Sequence, residues 1–517
     1  MAGLFSNTFL LSGLTVLSRF LGLARDILLF TVFGTSIYGE AFILAFTIPN
    51  LFRRMLGEGT LSSAFIPVYA SCLKNKPMQV AFELLNKVLS RLGLALFFLI
   101  ITVCLGSFFL SSFCAEPRWS IASYLNAISF AYVAFICCAA IMVGALNSHG
   151  RFAAGGLSPI LLNLSMIVTL IVFGIWGNLS LFEVAVYLSG AVVVGGLIQM
   201  LLPAIELRLK LEWVFKLDLQ PSGDLDKVSQ IFWVGALGAA VTQVNILVSR
   251  FLAFSLDDSG SLAYLFLSSR LIELPLGIFA ISLSTVLFPE LAKYAGDLDQ
   301  SRFKNCVTQG VRLTCAVTIA AAFGLGLLAT PILSLLFNWG MFTADNVLLA
   351  SEILLISVFG LPFYAGSGFL VKVFHSKKNM KLPLHAALLS MTVNLLMSVS
   401  LMFFYGVHGL AWANVIAAVF QVLFLAWKTP ELRLRHSISL KPLYLLPILF
   451  GSLVMCSSIQ WTRNVIDIGS GKWSDFIYLL LLIPLGIFSY LVVLSIFRFP
   501  ELAHAYNIFK ERFKRGS

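Results

Sequence analysis

Six arginines lie inside apolar stretches of this chain: Arg19, Arg25, Arg53, Arg54, Arg250 and Arg270. A cation near the centre of a bilayer costs roughly 2.5–3.5 kcal/mol on insertion scales, so such residues need an anion, an internal partner or a wet cavity. Guanidinium groups present planar donor forks that match phosphate oxygens, which makes anion recognition the chemistry this set suits. The acids in the same stretches are Asp26, Glu40, Glu58 and Glu273, leaving the constellation near +2. That balance favours an anionic ligand over a cationic one.

The six are not equivalent. Arg19 lies near the middle of the first apolar stretch, and Arg25 is about 9 Å further along a helix and rotated by about 120°, so both can border one wide cavity. Arg25 and Asp26 also read as a pair near the membrane interface. Arg54 and Glu58 are spaced i,i+4, and Arg270 and Glu273 i,i+3, as helical ion pairs are. Arg250, near the end of its stretch, reads as a snorkelling anchor. The candidate ligands are therefore Arg19, Arg25, Arg53 and Arg270, with Asp26, Glu40, Arg54, Glu58 and Glu273 in support.

The elements that must hold these residues are membrane helices. Of 517 residues, 59% are hydrophobic and only 11% charged, too little charge for a soluble chain of this length. Apolar runs of about 20 residues predict fourteen spans: 4–33, 36–72, 85–112, 120–146, 155–176, 181–207, 228–254, 260–292, 305–337, 346–372, 382–404, 408–427, 442–461 and 474–497. With the N-terminus inside, the loops assigned to the cytoplasm hold 26 of the 35 Lys and Arg, against three (Arg118, Arg463 and Lys472) on the other side. That bias is the positive-inside pattern, so the net charge of +11 marks topology and not nucleic-acid binding. Both ends are expected in the cytoplasm, and the first span serves as a signal anchor.

The chain looks internally duplicated. Ser18-Arg19-Phe20-Leu21 recurs as Ser249-Arg250-Phe251-Leu252, Phe65-Ile66-Pro67 is echoed by Leu287-Phe288-Pro289, and the loop before Pro159 resembles the one before Pro383. Offsets of 231, 222 and 224 residues suggest two parallel six-helix lobes related by a pseudo-two-fold axis, 1–215 and 227–429, joined by a cytoplasmic linker at 216–226. Two extra helices (441–497) and a basic tail (498–517) follow. Transporters built from such repeats bind substrate between the halves. Residues 36–72 would make a helix of about 55 Å against a core of about 30 Å, with Pro49, Gly57-Glu58-Gly59 and Pro67 as expected bend points. Residues 260–292 repeat the style with Pro275, Gly277 and Pro289.

Enzyme signatures are missing: there is no HExxH, GxSxG, P-loop or CxxC, the six histidines have no metal spacing, and the eight cysteines read as packing residues.

Three stretches carry a family likeness. Ser18 to Asp26 (SRFLGLARD), Pro49 to Gly59 (PNLFRRMLGEG) with Ala64-Phe65-Ile66-Pro67, and Ser269 to Gly277 (SRLIELPLG) resemble the first, second and eighth helices of the MurJ (MviN) family. The resemblance covers the whole chain and implies an all-α integral membrane flippase of the multidrug/oligosaccharidyl-lipid/polysaccharide exporter superfamily. Such a protein moves lipid II, the undecaprenyl-diphosphate-linked peptidoglycan precursor, from the cytoplasmic to the periplasmic leaflet of the bacterial inner membrane. It implies that Arg19, Arg25, Arg53 and Arg270 match the family's cavity arginines, that Glu58 and Glu273 match their acidic partners, and that the last two helices form a lipid-tail groove. Lipid II, membrane lipids and other cell-wall synthesis proteins are the implied partners. Glu40 stands where the family usually has Asp, Ser269 where an acid often precedes the arginine, and Asn379 where Asp is common. No cofactor is expected; sodium coupling and the membrane potential stand as equal candidates for the energy source. The alternatives are an exporter of another anionic polyprenyl-linked glycan, such as an O-antigen unit, and a non-transporting scaffold of cell-wall assembly.

Overall fold

The computed structural model describes residues 2–277, 281–295, 300–432, 444–466, 469 and 471–500, with the side chains of 2–10, 56–59, 234, 237, 239, 281–286 and 300 outside that description. Among the described residues the regular structure is helical throughout, as a chain must be whose backbone polar groups are paired inside lipid. Helix fills most of the described part of the expected ranges, with turns at Phe130–Ala131, Leu328 and Phe359–Gly360 inside three of them. Among the described residues, eight continuous helical stretches, or nine counting the bent pair Ala344–Val358 and Leu361–Ser376, are long and apolar enough to cross a membrane.

The chain divides into two compact units, one of residues 1–263 with 339–342, the other of 264–338 with 343–517. The first unit begins with α1 (Ala2–Phe33), α2 (Ile37–Phe52) and α3 (Leu61–Asn75). It continues through α4 (Met78–Phe113), α5 (Pro117–Ser129), α6 (Tyr132–Ser148), α7 (Ala153–Thr169), α8 (Leu181–Leu211) and α9 (Gly223–Phe254). Helix α10 (Ser261–Pro275) starts in this unit.

Small residues set its closest packing. A Cβ on Gly195 of α8 would lie 2.5 Å from Ser165 Oγ, and one on Gly196 2.5 Å from Tyr132, so α8 packs tightly on α6 and α7 only because these positions are bare. Met341 N donates to Thr31 O at the end of α1.

The expected bends in 36–72 take a different form. Between α2 and α3 the helix does not break; residues Arg53–Thr60 form a π-helical segment with helical backbone on both sides. Thr60 Oγ1 reaches back five residues to Met55 O. Pro49 and Pro67 sit inside α2 and α3. A widened turn accommodates the strain of prolines and paired glycines without losing the rod, and such segments occur often at functional sites.

The linker is pinned and not free. Trp213 Nε1 donates to Asn86 Oδ1, Asn86 Nδ2 to Val214 O, Asp218 N to Ser90 Oγ and an Arg91 Nη to Leu219 O. Asn86, Lys87, Ser90 and Arg91 share one face of α4, and Lys87 Nζ lies 3.7 Å from Asp218. At the start of α9, Asp224 accepts from Lys76 at 2.6 Å and Lys227 at 3.1 Å; the hydrogen bonds from these two amines push its carboxyl down to about 2.

The second unit holds α11 (Ile281–Tyr294), α12 (Gln300–Leu327), α13 (Ala329–Phe337), α14 (Ala344–Val358), α15 (Leu361–Ser376) and α16 (Lys381–Lys428). It ends with α17 (Leu445–Val465) and α18 (Lys472–Ile496). Two predicted spans fall within α16, which changes course at Gly406, where φ is 54°; only glycine takes that conformation cheaply. The last two helices pack on each other and on α12, where Tyr490 Oη donates to Ala316 O.

Candidate functional site

The arginines of the first unit sit in three different settings. Arg19 is exposed on α1, between exposed Leu17 and Phe20. Arg25, on the same helix, is only 7% exposed and fully engaged. Its Nε and one Nη donate to Asp26 Oδ1 at 3.0 and 2.6 Å, and the other Nη donates to Asn163 Oδ1 of α7 at 3.0 Å. Asn163 in turn donates to Ser18 O. The expectation that Arg19 and Arg25 border one wide cavity therefore does not describe this conformation. Asp26 curls the Arg25 side chain back onto its own helix, because a buried guanidinium is tolerated only when paired and hydrogen-bonded.

Arg53 opens the π-helical segment, half-buried. Asn50 Oδ1 accepts from its Nε at 2.9 Å, which holds the guanidinium by one edge. The arginine borders a cavity of about 270 Å³ whose walls are α3, α6 and α7. The α6 wall is the single face Ile136, Ala139, Ala140, Val143, Gly144 and Asn147, at helical spacing. Its small residues leave the room. Ser62 on α3 and Ser158 on α7 add hydroxyls. Arg54 lies next to Arg53 on the same segment; the side chain of Glu58, its expected i,i+4 partner, falls outside the described residues.

Among the described side chains of this unit, Glu40 and Asp26 are buried carboxylates, 1% and 3% exposed. Glu40 Oε1 accepts from the Leu262 and Ala263 amides at the start of α10, at 2.7 and 3.1 Å, the site where a helix dipole favours an anion. Its other oxygen lies 3.4 Å from Arg118. Arg118 also donates to Leu256 O and stacks over the Phe254 ring at 4.9 Å. Sequence reasoning placed Arg118 in an outer loop; it is a buried residue of the first turn of α5. The signal was there: Pro117 marks a helix start, and a cation at that end of a helix needs an acid to offset the dipole. Arg250 is likewise more than an interfacial anchor, since it donates to the buried Thr47 hydroxyl of α2.

In the second unit Arg270 pairs with Glu273 at 3.1 Å and lies over the Phe266 ring at 5.3 Å. Both charged side chains remain substantially exposed, 34% and 49%. Ser269 turns its hydroxyl back to Leu265 O of its own helix.

Among the described residues no cluster of three His, Cys, Asp or Glu side chains is placed to hold a metal ion. The residues sequence reasoning missed, Asn163 beside Arg25 and Asn147 in the cavity wall, are polar residues in apolar helices, a pattern that itself marks a functional contact.

Comparison with known proteins gives a consistent result. The family model described as "Lipid II flippase MurJ" matches residues 29–484. A relative from Buchnera aphidicola (subspecies Acyrthosiphon pisum), named a probable lipid II flippase MurJ, is 30% identical over 458 residues, 86% of this chain and 87% of its own length. A solved structure described as lipid II flippase MurJ in an inward closed conformation superposes with a TM-score of 0.77 at 27% identity, covering 95% of this chain and 98% of that one. An inward-facing multidrug resistance MATE transporter of the MOP superfamily shares the fold, with a TM-score of 0.65 at 13% identity over 81% of this chain and 96% of that one.

Proposed function

The chain belongs to the lipid II flippase MurJ family, and on that footing we propose that it carries lipid II from the cytoplasmic to the periplasmic leaflet of a bacterial inner membrane. The observation that carries this reading is the family match across residues 29–484. The task is physical and not covalent: a diphosphate and its sugars must cross a core that repels charge, while the polyprenyl tail remains in lipid. Arg53 suits the first need, because it brings a guanidinium to the wall of a cavity, oriented through its Nε by Asn50. Arg19 and Arg270 are further phosphate ligands in this proposal, and Arg25 joins only when its pair with Asp26 opens. Arg54, Glu58 and Glu273 tune the charge around them.

Both termini are cytoplasmic in this reading, the two halves alternate access to the two leaflets, and α17–α18 guide the lipid tail. Sodium or the membrane potential supplies the drive. The test is depletion of the protein in its host, with lipid II in each leaflet measured by an impermeant probe. Accumulation on the cytoplasmic side, reversed by wild type and not by Arg53→Ala, is expected. Unchanged leaflet distribution on depletion would sink the transport role, and accumulation of a different polyprenyl glycan would reassign the cargo.

A further inference from the structure

The cavity beside Arg53 is chemically two-sided. Arg53 supplies the positive charge; Asn147 of α6, Ser158 of α7 and Ser62 of α3 add neutral polar groups to the lining. Ala139, Ala140 and Val143 of α6 line it too. Pro159 adds a further acceptor, because a proline has no amide to bond the carbonyl four residues earlier, that of Gly155, and both residues line the cavity. One cation, three neutral hydrogen-bonding side chains and a smooth apolar floor do not form a site for an inorganic anion alone. An anion needs converging donors, whereas neutral donors and acceptors over small apolar residues suit hydroxyls, an acetamide and the C–H face of a sugar ring.

Size narrows the ligand. A volume of about 270 Å³ lies just below the roughly 300–1,000 Å³ typical of small-molecule sites. It admits one sugar ring and part of a diphosphate, not a disaccharide with its peptide. The walls are also braced for a fixed shape. Gln199, itself fully buried, donates to Ser158 O at 2.6 Å, and Tyr69 Oη lies 3.2 Å from His149 Nε2, tying α3 to the end of α6.

We infer that this cavity is a subsite for the amino-sugar attached directly to the diphosphate, with Arg53 on the phosphate and Asn147, Ser158 and Ser62 on the ring. The inference rests on the lipid II reading and adds the residues that distinguish a glycosylated carrier lipid from a bare one. Asn147 and Ser158 then set specificity, while Arg53 sets affinity for any polyprenyl diphosphate.

The experiment is native mass spectrometry, or an equivalent binding titration, on the purified full chain with lipid II and with undecaprenyl diphosphate. Wild type is expected to prefer lipid II. Asn147→Ala and Ser158→Ala, which remove the polar atoms without adding bulk to the cavity, each reduce that preference by about five- to tenfold and leave binding of undecaprenyl diphosphate unchanged, which also reports that the variants fold. Arg53→Ala weakens both lipids together. Equal binding of the two lipids by wild type overturns the subsite, as does an undiminished preference in both variants. Loss of both lipids in both variants overturns it too, because a ring subsite does not carry the diphosphate. If wild type binds neither lipid, the flippase reading itself fails, an outcome distinct from all of these.

Discussion

Arg25 and Arg53 begin as equals in the sequence, two deep arginines of one unit, and end in opposite environments. Arg25 is sealed between Asp26 and Asn163; Arg53 is braced through one nitrogen by Asn50 and faces a cavity. Depth in the membrane thus separates charged residues from ordinary ones, but does not by itself mark a ligand. Asp26 follows Arg25 directly and draws it back onto its own helix, while Arg53 stands on a cavity wall. The difference is between a buried pair and a cation that lines a cavity.

Substitutions that separate stability from transport test this contrast. The largest effect is expected from Asp26→Ala, which leaves Arg25 buried and uncompensated; breaking such a pair costs about 3–5 kcal/mol, read as a lowered thermal midpoint in detergent. The double variant Arg25→Ala/Asp26→Ala should recover much of that loss, and a double variant no better than the single one would break the comparison. Next comes Arg53→Ala, with the opposite signature. Its thermal midpoint stays near wild type while lipid II binding falls about ten- to a hundredfold, as loss of a charged hydrogen bond worth about 1.5–3 kcal/mol predicts. A strongly destabilised Arg53→Ala protein would place Arg53 with Arg25.

Asn163→Ala should be smaller, about 1–2 kcal/mol of stability, because Arg25 keeps Asp26 but loses the acceptor for its other Nη. The smallest effect concerns His149, at the end of the α6 cavity wall. Burial, and then the neighbouring Arg151, pull its pKa below the usual 6.5. The unfolded chain therefore takes up a proton near pH 6.5 while the folded one does so only further down. Stability contributed by neutral His149 is present above that value and is lost as the pH falls through it. Thermal midpoints at pH 7.5 and 5.5 should converge slightly in His149→Gln; an identical pH dependence in wild type and variant would remove His149 from the account.

Much of the architecture is legible in the sequence because the solvent enforces it. A span needs about 20 apolar residues, and the helices fall where such runs fall. The π-helical turn at Arg53–Thr60 is not legible, since an apolar face repeats in much the same way whether a single turn holds four residues or five. Pairings between distant residues are lost for another reason. Nothing near Arg118 announces Glu40, 78 residues earlier, nor does anything near Arg25 announce Asn163. Local sequence marks Arg118 as a helix-start cation in need of an acid but does not name Glu40 as that acid. The pairs that were foreseen, Arg25–Asp26 and Arg270–Glu273, are those a helix brings together unaided.

The linker held along α4 gives assembly an order in time. Its bonds to Asn86, Ser90 and Arg91 involve no residue beyond Leu219, so they can form while the rest of the chain is still on the ribosome. Residues 1–263 supply nearly all of the first unit. At a synthesis rate of 5–20 residues per second, its last piece, the turn carrying Met341, follows Ala263 by roughly 4 to 16 s. For those seconds the unit lacks Trp339–Phe342, and with it the bond from Met341 N to Thr31 O and the Phe342 ring packed on Phe30, so the carbonyl end of α1 waits for a partner still being made.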